Sequence, residues 1–173
     1  MSEHEFWSLI EASLPSGNSQ QQAERLRALL HRRPREDCLH FQRQLRRHSD
    51  LLHTFDMKAA SLLVHHGDAA DVFRAFRAWL VCCGRSRFEA ARRDPEAIAG
   101  FLRDEELETV DGTLLLQAAP AVWEELGGYE EDFVAALGNP PEPHFESDWP
   151  AEWEGFAARW PRLYERFCQP PRA

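Results

Sequence analysis

The sequence predicts an all-α fold, in which many short helices form a single compact domain. Apolar residues recur at intervals of three and four along most of the 173 residues, which is the period of a helix that packs one face on a core. Capping and ending signals separate these runs, and strand-like alternation is not seen. The length suits one domain, which we expect over residues 1–168, with a short flexible tail at 169–173.

Local signals place the first two helices. Ser2 and Glu5 have the spacing of a capping box ahead of an apolar run, so a first helix should begin there and end near Leu14. Ser19 and Gln22 repeat this spacing and predict the start of the second helix.

The third, fourth and fifth helices are predicted to form the centre of the fold. Pro34 can serve as the first residue of the third helix. The fourth, over residues 56–66, is apolar nearly all round, so we expect it to be the central buried helix, with Gly67 ending it. The fifth should start near Asp68 and stop at Gly84. A continuous apolar stripe along the third helix comprises Cys38, Phe41, Leu45, His48, Leu52 and Phe55.

The remaining helices are shorter. A break is expected at Pro120, because proline lacks the amide that a helix interior uses. Three prolines at 140, 141 and 143 predict an extended connection before the C-terminal helix, whose apolar residues begin at Trp153 and end at Phe167. The four preceding helices are predicted at 88–93, 95–102, 114–126 and 130–137.

Composition disfavours several function classes. The net charge is −9, which repels phosphate, so we expect neither nucleic acid nor a membrane as partner. Apolar runs stay well below the roughly 20 residues of a membrane span, and Glu3 and Glu5 stand where a secretory signal would carry basic residues. Four cysteines without regular spacing favour reduced thiols and a cytoplasmic location. The preference for arginine and alanine is typical of a bacterial genome rich in G and C.

Charge is unevenly distributed along the chain. Residues 21–95 hold 15 basic and 9 acidic residues, whereas residues 96–154 hold 1 basic and 16 acidic residues. The two parts could pair with each other, but a surplus of 6 cannot neutralise one of 15. We therefore expect an acidic C-terminal half that binds a protein partner, which could be basic. The expected interface comprises Trp123, Tyr129, Glu130, Glu131, Asp132, Trp149 and Trp153.

The order of several segments resembles a known family. These segments are Phe6-Trp7, the run from Ala59 to Gly67 that leads into Asp71, Trp79-Leu80, the run from Val122 to Gly127, and Trp160-Pro161-Arg162-Leu163. Together, over essentially the whole chain, they resemble the bacterial family catalogued as domain of unknown function 4240. The resemblance implies a small soluble bacterial protein with one fold unit, and it implies no activity. Where the family tends to have paired aspartates, this chain has Ala70-Asp71.

Candidate chemistry is concentrated at one helix junction. Phosphate-binding, nucleophile-elbow and zinc-protease motifs do not occur, and we expect no cofactor. His65, His66, Asp68 and Asp71 cluster between the fourth and fifth helices, and imidazole and carboxylate groups can bind a metal or transfer protons. A small metal-dependent or His/Asp-using enzyme is therefore the alternative to a regulatory or immunity-type interaction module. A structural role is favoured, because Asp68 can cap a helix and neighbouring histidines point about 100° apart.

Other polar residues have simpler interpretations. His48 lies within an apolar stripe, and we expect it at the core boundary with one hydrogen bond. Cys82 and Cys83 are expected to be buried. The arginines of the third helix region should form a solvated surface; they are Arg32, Arg33, Arg35, Arg43, Arg46 and Arg47.

Overall fold

The computed structural model describes residues 1–14, 18–66, 70–138 and 153–168, and all regular structure in these ranges is helical. The all-α prediction is confirmed. No helix in these ranges combines the length and the apolar character that crossing a bilayer requires. The helices of the described ranges are α1 (Glu3–Ser13), α2 (Ser19–Leu30), α3 (Glu36–Leu51), α4 (Phe55–His65), α5 (Ala70–Cys82), α6 (Arg85–Arg93), α7 (Ile98–Phe101), α8 (Thr113–Glu125), α9 (Glu130–Leu137), α10 (Trp153–Arg159) and α11 (Pro161–Phe167), with 3₁₀ turns at Pro95–Ala97 and Asp104–Thr109.

The helix starts show how local sequence sets the fold. The Ser2 hydroxyl accepts a hydrogen bond from the Glu5 amide at 3.2 Å, and the Glu5 carboxylate accepts one from the Ser2 amide at 2.7 Å. The predicted capping box is thus confirmed. The predicted cap of α2 is wrong by one residue, because Asn18, not Ser19, accepts a hydrogen bond from the Gln21 amide at 3.0 Å.

The most buried helix is α5, and the prediction of a central α4 is wrong. Nine of the 13 residues of α5 are buried, against five of the 11 residues of α4. The reason is topological, since α5 contacts α3, α4, α6 and α8. Trp79 on α5 is buried, with 6% of that residue exposed.

The contact between α5 and the start of α8 depends on a glycine. A Cβ atom added at Gly112 would lie 2.3 Å from the Ala75 carbonyl oxygen and 2.6 Å from the Trp79 amide nitrogen. Both distances are far below van der Waals contact, so only glycine allows the two backbones to approach this closely.

Helix α8 continues through Pro120, and the predicted break is wrong. Proline leaves the carbonyl of Leu116, four residues earlier, without its helical donor. The Gln42 side-chain amide on α3 supplies a donor instead, at a long distance of 3.5 Å from the Leu116 oxygen. This compensating contact joins residues 74 positions apart, so the local sequence gave no sign of it.

Two other helix ends also differ from expectation. Helix α4 is ended by His66, which has a φ of 53°, a left-handed conformation that histidine adopts more readily than most residues. Gly67, the expected stop, lies outside the described residues. The C-terminal helix is divided in two, because Pro161 disfavours helical geometry at Trp160 and then begins α11.

Candidate functional site

His65, the first residue of the predicted cluster, contacts backbone carbonyl groups through both of its ring nitrogens. Its ring lies half-buried against the edge of Phe76, with ring centroids 5.5 Å apart. Nδ1 is 3.0 Å from the carbonyl oxygen of Ser61, and Nε2 is 2.9 Å from that of Val110. Imidazolium can donate to both oxygens, whereas neutral imidazole donates to one. Both nitrogens therefore face carbonyl groups, and His65 joins the end of α4 to the segment before α8.

The two other described residues of the predicted cluster, His66 and Asp71, form no metal-ligating group with His65. His66 is exposed at the end of α4, and Asp71 is exposed on α5, where it lines the groove described below. Asp68 lies outside the described residues. Among the residues that the structure does describe, no three His, Cys, Asp or Glu side chains meet in a way that could hold a metal ion. A metal or acid–base centre stays a hypothesis without geometric support.

A groove of about 540 Å³ lies where α3, α5, α8 and α9 meet. We call it the α8–α9 groove. Its charged lining residues are Asp71, Arg74, Glu124 and Glu130. Its apolar lining residues are Ala75, Leu116, Pro120, Phe133, Val134 and Leu137. The groove thus brings together Asp71, a candidate of the predicted metal or enzyme cluster, and Glu130, a candidate of the predicted protein interface.

The apolar wall of the groove is partly open to solvent. Val134 on α9, which lines the groove, is 54% exposed. Tyr129, at the N-cap position of α9 and outside the groove lining, is 71% exposed. Phe133 between them is 3% exposed and fixes α9 to the core. An 8-residue helix with one buried residue therefore presents most of its surface outward.

Trp123 differs from the exposed anchor that the sequence suggested. It is 7% exposed, and its Nε1 donates a hydrogen bond to the Tyr129 carbonyl at 2.9 Å. The Arg35 guanidinium lies 4.6 Å from the ring centre. A Cβ added at Gly128 would lie 2.1 Å from Nε1, so the turn closes directly on the indole. Trp123 holds the α8–α9 turn in place.

The other two tryptophans of the predicted interface are Trp149 and Trp153. Trp149 lies outside the described residues, and Trp153 is the first residue of α10. The described part of the expected interface is therefore the end of α8 and the start of α9.

Four exposed carboxylates form what we call the acidic edge: Glu124, Glu130, Glu131 and Asp132. Three of them lie in the first turn of α9, where the helix dipole favours negative charge. None of the four forms an ion pair within the ranges that the structure describes.

Four acidic residues between 94 and 106, by contrast, pair with arginines: Asp94, Glu96, Asp104 and Glu106. Asp104 pairs with Arg166, and Asp94 pairs with Arg162. Burial disfavours ionisation of Glu106, but hydrogen bonds from Arg103 outweigh it and hold the pKa of that carboxyl below its ordinary value. The acidic surplus of the C-terminal half is therefore neutralised in one region and left unpaired in another.

Three arginines of the α3 region fix the far wall of the groove. The prediction of a solvated surface leaves out part of their role: Arg43 is exposed and Arg35 and Arg46 are partly buried, and each donates a hydrogen bond to a backbone carbonyl at or just after the end of a helix. These contacts run from Arg35 to Gly127, from Arg43 to Ala136 and from Arg46 to Gly138, at 3.3, 2.8 and 2.9 Å. Sequence reasoning missed them, since their acceptors are backbone groups more than 90 residues away.

Residues 1–125 match the family described as "Protein of unknown function (DUF4240)". The chain belongs to this family. No curated protein and no solved structure matches the chain. The DUF4240 match covers α1 to α8 and ends at the last residue of α8. One wall of the α8–α9 groove thus lies within the matched DUF4240 segment, and α9 follows it.

The DUF4240 domain also contains a buried histidine that the sequence placed wrongly. His48 is 4% exposed, and neither ring nitrogen has a hydrogen-bond partner among the described residues. Its ring centre lies 4.8 Å from that of Trp7 and 5.3 Å from those of Phe6 and Phe88. Burial lowers the pKa of the imidazole, so the neutral ring packs as one more aromatic side chain.

Proposed function

We propose that this DUF4240 domain is a protein-binding module that receives a basic partner on its acidic edge. The observation that carries the proposal is the difference in pairing among its acidic residues. Arginines neutralise Asp94 and Asp104, whereas the acidic edge has no internal counter-ion among the described residues. An unpaired charged patch attracts a partner of opposite charge and raises the association rate.

Exposed side chains beside the acidic edge can supply contact area. Tyr129 is 71% exposed and Val134 is 54% exposed, and both flank the first turn of α9. Tyrosine is enriched among the residues that dominate binding energy at protein interfaces. The acidic edge thus supplies charge that attracts a partner, and Tyr129 and Val134 beside it supply surface for contact. This combination favours a protein partner over a free ion.

The proposed role is that of a regulator or an immunity-type inhibitor. Such a protein acts by covering a surface of its partner, and it needs rigid complementarity without a catalytic group of its own. The carbonyl contacts from Arg43 and Arg46 to the end of α9 supply that rigidity.

Charge reversal tests the proposal. The variant Glu130→Lys, Glu131→Lys, Asp132→Lys should bind the partner recovered from the native cell at least about tenfold more slowly at low salt, because steering is lost. The control Glu24→Lys, Glu36→Lys, Glu165→Lys changes the net charge equally on exposed residues elsewhere. Association rates are measured by surface plasmon resonance at two salt concentrations.

Neutralisation provides a second variant, since lysines at a helix start could unfold α9. Glu130→Gln, Glu131→Gln, Asp132→Asn should reduce the salt dependence while circular dichroism stays unchanged. Equal association rates for the wild type and both α9 variants would contradict the proposal.

A further inference from the structure

We propose that the α8–α9 groove holds a short amphipathic helix of the partner, with its apolar face inward and its basic side chains along the acidic edge. This inference rests on the proposed function and names the part of the partner that is recognised.

The size and lining of the groove suit such an occupant. Its volume of about 540 Å³ lies within the range of sites that bind drug-sized ligands or side-chain clusters. Leu116, Pro120 and Leu137 form apolar lining, and Val134 is more than half exposed although it is a large apolar residue. Covering Val134 removes apolar surface from water, which favours an occupant with apolar side chains.

Charge complementarity favours a basic occupant. The groove lining carries three carboxylates, those of Asp71, Glu124 and Glu130, and one guanidinium, that of Arg74. Glu131 and Asp132 follow Glu130 in the first turn of α9 and add negative charge near the groove without lining it. Basic side chains on both flanks of a bound segment would meet these carboxylates, whereas an acidic segment would be repelled.

The absence of a sheet edge favours a helix over an extended peptide. Strand addition to a sheet edge is one common way in which an extended segment binds, and the residues described here contain no strand. Grooves between helices instead receive amphipathic helices, which place apolar side chains at every third or fourth position. The α8–α9 groove is bordered by helices on each side.

The groove also exists before binding. Trp123 fixes the α8–α9 turn through its 2.9 Å hydrogen bond to the Tyr129 carbonyl, and Arg43 and Arg46 hold the C-terminal end of α9. A preformed site loses little conformational entropy on binding.

A designed peptide tests the inference. The probe is an end-blocked helix of about three turns with leucines at helical spacing and arginines on both flanks, titrated into the isotope-labelled chain. We expect saturable NMR shifts of the Trp123 indole N–H and the Val134 methyl groups, and an unchanged indole signal from Trp7, which lies on α1 away from the groove. The same peptide with glutamate in place of arginine should bind at least about tenfold more weakly.

A matched pair of variants identifies the contact. Val134→Gln should weaken peptide binding about tenfold, because it replaces an apolar groove residue. Ala135→Gln introduces the same side chain at the next exposed position, which does not line the groove, and should change binding less than about twofold.

The other outcomes separate this inference from the proposed function. Suppose that shifts are confined to the amides of residues 130–132 and that the Val134→Gln variant binds the peptide normally. This result would overturn the groove as the binding site, while the proposed function of the acidic edge would stand. Peptide binding that survives the triple lysine reversal unchanged would overturn the basic occupant and the proposed function together. Sedimentation that shows a dimer abolished by Val134→Gln would make a second copy the occupant and overturn the inference, as would an absence of shifts.

Discussion

The segments 94–112 and 124–137 have similar acidic character and use it in opposite ways. In the first, arginines pair with Asp94 and Asp104, and Gly112 lies directly against the α5 backbone. In the second, the acidic edge is unpaired within the described residues and Val134 borders an open groove. Asp94 and Asp104 are used in contacts within the chain, as is Glu125 through Arg27, whereas the four carboxylates of the acidic edge form no ion pair among the described residues. A count of charges along the chain does not distinguish the two groups.

The largest expected effect is at Gly112. Gly112→Ala should lower the free energy of unfolding by about 1–3 kcal/mol or more, because the new methyl group would overlap the Ala75 and Trp79 backbone and force α5 and α8 apart. Urea denaturation measures the loss. Gly100→Ala is the control within the same segment, since a Cβ there has open space and alanine favours a helix; it should be neutral or slightly stabilising. A loss below about 0.5 kcal/mol for Gly112→Ala would contradict the close contact.

A second comparison replaces one carboxylate in each segment. Glu96 accepts a hydrogen bond from the Arg162 amide at 2.7 Å and so caps α11, whereas Glu130 has no such contact. Glu96→Gln should lower the free energy of unfolding by about 1 kcal/mol, as the loss of a charged helix cap does. Glu130→Gln should lower it by no more than a few tenths of a kcal/mol. Thermal unfolding of the two variants, compared at one salt concentration, gives the difference. Equal losses would remove the distinction between the segments.

The smallest effect concerns acid sensitivity. The pKa of Glu106 is lowered from 4.5 in the folded chain, so the unfolded chain binds more protons and stability rises with pH across this interval. The contribution of Glu106 is present above pH 4.5 and disappears as the pH falls through the lowered pKa. Glu106→Gln should flatten the dependence of unfolding free energy on pH below 4.5, by less than about 1 kcal/mol for a partly exposed pair. An unaltered slope in the Glu106 variant would contradict the pairing.

Local signals predicted much of the helix pattern. The bounds of α9 agree with the sequence because its acidic first turn and the Gly138 stop lie within the segment itself, and the Ser2–Glu5 capping box is also local. The errors share a different cause. Continuation of α8 through Pro120 depends on Gln42, 74 residues from its acceptor, and the central place of α5 depends on which helices surround it.

The candidate site was predicted only in part, for the same reason. The sequence selected Tyr129 and the acidic first turn of α9, which are exposed. It could not show that Trp123 turns inward to the Tyr129 carbonyl, or that Asp71 of α5 would share a groove with Glu130. Grooves form between elements, and hydrophobic periodicity describes each element alone.

The attachment of α9 has a consequence for how its surface can vary. Arg43 and Arg46 bind the carbonyl oxygens of Ala136 and Gly138, and every amino acid supplies such an oxygen. Substitutions on the outer face of α9 therefore leave these two hydrogen bonds intact, and only Phe133 ties the helix to the core by a buried side chain. The exposed residues of α9 can therefore change with little effect on where the helix lies. If α9 binds the proposed partner, exchanging a few of its exposed side chains would change which partner is recognised, while the backbone that presents them stays where it is.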